Sequence, residues 1–175
     1  LKRRRNKKMG KFNGKISAEF TPPKTWVLNR ELSFQTDEFT KEQNDILKEV
    51  GANITVGALV QDDCQITCDE GMKTDLASVP RIAWAVIAPW DCARAAVIHD
   101  HLYAVLRKYY HSKDKNKSTW RKARKLSDEI FLLGMKSADP KISKFKMYSA
   151  YWSVRLFGRW PASAKEQVKY LSGGK

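Results

Sequence analysis

A chain of 175 residues, 42% hydrophobic and 30% charged with Gly 9, Pro 6 and Cys 3, has the make-up of one folded domain and excludes a disulfide-stapled miniprotein or a low-complexity chain. Lys and Arg number 33 against 19 Asp and Glu, a net charge of +14 that points to an anionic partner: nucleic acid, phosphate-rich lipid or an acidic protein surface. The excess is uneven: residues 1–15 hold eight basic and no acidic side chains, residues 16–100 seven against fourteen, and residues 101–175 eighteen against five.

Residues 1–10 are almost devoid of apolar side chains and are expected to form a flexible basic arm. Residues 11–160 are expected to make a single domain, and 161–175 a C-terminal tail. From Phe12 to about Leu76 the pattern is strand-like. Lys15 to Phe20, Trp26 to Phe34, Ile54 to Val60 and Cys64 to Thr67 are the candidate strands, with apolar residues at even spacing. One helix interrupts them, headed by Thr40, striped by Ile46, Leu47 and Val50 and closed by Gly51. Cys64, Cys68 and Cys92 match no zinc or CxxC spacing and are expected to be buried as small apolar residues.

After Pro89 the signals turn helical. Asp91 is the expected N-cap of a first long helix and Ser118 of a second running to about Ser137. Asp139 followed by Pro140 opens a third that ends near Gly158. The whole reads as an α+β protein, a small mostly antiparallel sheet in the N-terminal half packed by about three helices in the C-terminal half. The longest apolar run, Ile82 to Trp90, is far short of the ~20 residues of a membrane span, and no apolar segment follows the basic start. No membrane partner is expected, and the location expected is the cytoplasm.

Most chemistry-bearing residues lie on the first long helix. His99 shares its most apolar face with Cys92, Ala95, Ala96, Leu102, Tyr103 and Leu106, while Asp100 lies about 100° further round. Such a helix is buried nearly all round, so both polar groups need partners inside the protein. Asp75, in a loop ending Ser-Val-Pro, and Asp128, followed by Ile130, Phe131 and Leu132, are the candidate carboxylates; Arg124 stands one turn before Asp128. His101 falls with Ile98, Val105 and Lys108 and is expected to be partly exposed. No ready-made nucleophile or phosphate-binding glycine loop occurs.

In order along the chain, KFNGK, TDLASVPRIAW, HDHLY and RKLSDEIF resemble the phage and prophage family catalogued as domain of unknown function 1353. The resemblance runs from Lys11 to about Gly158. It departs from the family pattern at His101 and Ser127, and residues Asp37 to Gly51 look inserted. It implies a viral origin and a site made of Asp75, His99, Asp100 and Asp128, and it supplies no function.

Two readings of those four residues stand side by side. As hard ligands they could hold Mg²⁺, Mn²⁺ or Zn²⁺ for a hydrolase acting on a phosphate-containing or cell-wall substrate. As a buried polar cluster they would lock a loop against the helices. A separate basic patch, Arg107, Lys108, Lys113, Lys115, Lys117, Arg121, Lys122, Arg124 and Lys125, is interleaved with Tyr109, Tyr110 and Trp120 and suits an anionic partner, nucleic acid included. On the third helix, Ile142, Phe145, Tyr148, Trp152 and Leu156 are expected to be mostly core, with a surplus of aromatics for a protein contact. The leading expectation is a virion-associated structural or assembly component, made in the host cytoplasm and bound to other virion proteins; the hydrolase and a nucleic-acid-binding accessory protein are the alternatives.

Overall fold

The computed structural model describes residues 10–22, 25–57, 64–74 and 92–165. In chain order these form β1 (Lys11–Phe12), β2 (Ala18–Thr21), β3 (Thr25–Leu28), β4 (Leu32–Thr36), α1 (Lys41–Glu49), β5 (Ile54–Val56), β6 (Cys64–Cys68) and β7 (Lys73–Thr74). The helical half follows as α2 (Ala93–His111), α3 (Lys117–Lys136), α4 (Lys144–Phe157) and the short α5 (Arg159–Ser163). The protein is α+β, with antiparallel sheets first and helices after. Among the described residues no helix is long and apolar enough to cross a membrane.

The expected single strand from Trp26 to Phe34 is in fact two strands in two sheets. Asn29, Arg30 and Glu31 break it, all three exposed, and the chain changes sheet there. β3 pairs with β2 and β7, with Trp26 opposite both Phe20 and Thr74. β4 lies between β1 and β6 in the sheet ordered β1-β4-β6-β5, with Phe34 opposite Phe12 and Ile66. Among the described strands only β4 buries both of its faces, so Leu32, Ser33 and Phe34 are consecutive and all enclosed.

The capping of α1 follows its sequence. The Thr40 hydroxyl accepts from the Gln43 N–H while the Gln43 side chain accepts from the Thr40 N–H, and Gly51 leaves the helix at φ 91°. Caps on the longer helices shift from their expected positions. Asn116 rather than Ser118 caps α3, because its side chain reaches the N–H groups of both Ser118 and Thr119. Ser143 rather than Asp139 caps α4, accepting from Lys146 N–H. Cys92 stands at the N-cap of α2, and Asp91 lies outside the described residues.

Helix α2 is the central member. It packs on β4, β6 and β7 and on α3 and α5; α4 covers α3. Small residues set the closest approach: a Cβ at Gly134 of α3 would stand 2.8 Å from the Ala95 Cβ of α2. All three cysteines are buried and free. Cys68 hands its S–H to the Val97 carbonyl at 3.8 Å, and burial followed by the nearby Asp100 and Asp69 charges pushes its pKa well up.

Helix α4 presents the opposite face from the one expected. Met147, Ala150 and Val154 meet the core, while Phe145, Tyr148, Trp152 and Leu156 face outward. Two contacts fix that rotation. Arg155 reaches inward to Asp128, and at Gly158 an added Cβ would overlap the Tyr103 hydroxyl and the Val154 carbonyl. Aromatic residues on the inner face would hold α4 too far from α3 for the first contact and its end too far from α2 for the second.

Candidate functional site

The apolar run of α2 carries His99 and Asp100 into the interior, where they are 3% and 8% exposed. Being consecutive on a helix, they point in different directions and find different partners. Asp100 turns toward the sheet, where its Oδ2 accepts from the Thr74 hydroxyl at 2.5 Å. His99 turns toward α3, where its Nε2 lies 3.0 Å from Asp128 Oδ1.

Asp128 is fully enclosed and is the centre of the larger cluster. Its Oδ1 also accepts from the Tyr103 hydroxyl at 2.7 Å. Its Oδ2 accepts from Arg155 Nη1 at 2.6 Å and has Arg124 Nη1 at 3.8 Å. One carboxylate thus joins α2, α3 and α4. The His99 ring is itself packed against the rings of Tyr103 and Phe131, with centroids 4.0 and 5.0 Å away.

Protonation follows from these contacts. Burial alone would push the Asp128 carboxyl up, but hydrogen bonds and charge from His99, with those from Tyr103 and Arg155, outweigh it and hold the pKa below the usual carboxylate value. Burial, then the adjacent carboxylate, raises the Tyr103 phenol far above its ordinary value, so it remains a donor. Arg155 is opposed by burial and still shifted upward by its bond to Asp128. A carboxylate with a lowered pKa and both oxygens engaged is a poor general base and has little left to offer a metal ion.

Of the four residues singled out in the sequence, His99 and Asp128 come together, Asp100 takes a separate partner, and Asp75 lies outside the described residues. Among the described residues no group of three or more His, Cys, Asp or Glu stands close enough to share a metal ion. Tyr103 and Arg155 were missed. Tyr103 had a signal, four residues after His99 on the same face; Arg155 had one too, as the sole charge between Met147 and Phe157.

The basic patch divides. Lys108, Lys113, Lys115, Lys117, Arg121, Lys122 and Lys125 are exposed and Arg107 is half-buried, whereas Arg124 is turned inward, donating to the Arg155 carbonyl at 3.3 Å as well as facing Asp128. Trp120 belongs to the core, its indole N–H donating to the Leu106 carbonyl. Lys115 instead lies over the Tyr110 ring, 5.0 Å from its centroid. His101 is half-buried, its buried Nε2 has no hydrogen-bond partner among the described residues, and burial lowers its pKa against the opposing pull of Asp69.

No curated protein and no solved structure matches the chain. A family model does, over residues 54–154, which run from β5 through nearly all of α4 and contain His99, Asp100, Tyr103 and Asp128. Helix α1 and its flanks precede the matched stretch, and Arg155 falls one residue beyond it. With more than half of its length matched, the chain belongs to the family described as Protein of unknown function (DUF1353).

Proposed function

We propose that the protein is a phage-encoded, virion-associated structural or assembly component, in which the Asp128 network holds the helices in register and the outer flank of α4 docks a neighbouring virion protein. The observation that carries this reading is the flank itself. Phe145, Tyr148, Trp152 and Leu156 are 75%, 43%, 57% and 69% exposed along one stripe, while Met147, Ala150 and Val154 fill the core side. Among the described residues only one side of this apolar helix is covered, and aromatic side chains are what interface centres favour.

The partner's chemistry follows from charge. Residues 141–165 contain six Lys and Arg and no Asp or Glu, so a second copy of the same face would be repelled, and an apolar groove with an acidic rim would fit. The metal-hydrolase alternative draws less support, because Asp128 is engaged by His99, Tyr103 and Arg155. Quantitative mass spectrometry of purified particles tests the reading. A fixed copy number for the wild type, lost in Trp152→Glu with thermal stability unchanged, is expected. Absence of the wild type from particles would overturn it.

A further inference from the structure

The C-terminal end of α2 and α5 border an open cavity of about 260 Å³ lined by Arg107, Lys108, His111 and Lys165. Each of these four described residues is basic. Two of them are anchored by the backbone of α5: Arg107 Nη1 donates to the Pro161 carbonyl at 3.4 Å, and His111 Nε2 bonds the Ser163 carbonyl at 3.0 Å. Among the described residues their remaining nitrogens, and the ammonium groups of Lys108 and Lys165, make no other hydrogen bond or ion pair.

A simpler role would be to offset the negative end of the α2 dipole. That end amounts to roughly half an elementary charge, and Lys108 and His111 in the last turn already meet it. Arg107 and Lys165 then remain as surplus positive charge around one small space, where like charges repel. An anion in the cavity relieves the repulsion. Its volume is below the ~300–1,000 Å³ of sites that engulf a drug-sized ligand, so it suits one charged group of a longer chain.

The surroundings say which chain. Lys113, Lys115 and Lys117 leave the end of α2 in succession, which suits a partner with repeated negative charge. Trp160, 79% exposed, stands on the same five-residue helix whose carbonyls anchor Arg107 and His111. An exposed indole on the helix that anchors two residues of a cavity lined by basic side chains is a combination a single strand can use, with its phosphate held and a base stacked. We infer that the cavity is a phosphate subsite for single-stranded nucleic acid, with Trp160 as the stacking platform and the lysines after α2 following the backbone. This goes beyond the docking role of α4 and can fail or stand without it.

Fluorescence anisotropy of a labelled oligothymidylate with the full-length protein, over a range of salt concentrations, tests the inference. Binding should weaken linearly in log–log terms with salt. The double variant Lys108→Gln/Lys165→Gln should bind about tenfold or more weakly and lower the salt slope by roughly 0.7, the value for one neutralised phosphate on a single strand. Trp160→Ala should lose about tenfold while keeping most of the salt slope, because stacking is not electrostatic. Both variants change exposed residues, so unaltered thermal unfolding excludes misfolding. Failure of the wild type to bind, or equal binding by the double variant, would overturn the assignment. So would binding to vesicles of anionic phospholipid or to polyglutamate in place of the oligonucleotide.

Discussion

Replacing Asp128 by Asn keeps the shape of the side chain and removes only its charge, so it isolates what the central carboxylate contributes. The wild-type oxygens accept from His99 at 3.0 Å, Tyr103 at 2.7 Å and Arg155 at 2.6 Å, all within an enclosed site. An amide has one acceptor oxygen. Turned toward Arg155, it presents its NH₂ to His99 and Tyr103, which can each rearrange to accept; turned the other way, it sets donor against donor at Arg155. The first arrangement costs less, placing the loss at about 3 kcal/mol, the lower end of the range for unpairing one partner of a buried ion pair. At ~2–4 °C per kcal/mol for a domain of this size, the melting temperature should fall by about 6–12 °C, read by circular dichroism at pH 7. The difference should also depend on pH. Because the folded Asp128 pKa lies below its ordinary 3.8, its stabilisation is complete above that value and disappears as pH falls through the folded pKa. Wild type and variant should therefore converge in strong acid. A variant that melts within about 1 °C of wild type at pH 7 would refute the view that this carboxylate holds α2, α3 and α4 together.

Gly134→Ala places a methyl 2.8 Å from the Ala95 Cβ and 3.3 Å from its Cα, and should cost about 1–3 kcal/mol by chemical denaturation, partly recovered by Ala95→Gly. Thr40→Ala removes one half of the capping box of α1 and should cost about 1 kcal/mol; no change in urea midpoint would contradict the reciprocal bonding with Gln43. Cys64, Cys68 and Cys92 should stay unmodified by a thiol reagent at pH 8 in the native protein and react together on unfolding, since all are buried and Cys68 is held as the thiol. Rapid labelling of Cys68 without unfolding would show that the sheet beneath α2 opens locally.

How far these features could be foreseen depends on how local their causes are. The cap and closing glycine of α1, the burial of His99 and Asp100 and the buried cysteines all follow from residues within a turn or two of one another, and the sequence by itself determined them. The order of strands and then helices likewise determined the α+β class. What joins distant segments was decided only by the tertiary structure. The break at Asn29–Glu31 becomes a change of sheet because β4 is claimed on both edges by β1 and β6, a pairing the run from Trp26 to Phe34 does not encode. Helix α4 has apolar residues on both sides, so periodicity could not choose which would be buried; Arg155 reaching Asp128 and the close seat of Gly158 under Tyr103 chose it. His99 and Asp100 read as one pair along the chain, yet a rotation of 100° per residue sends one to α3 and the other to the sheet. A partner across a helix interface is fixed by rotation and distance, and those exist only once the helices have packed.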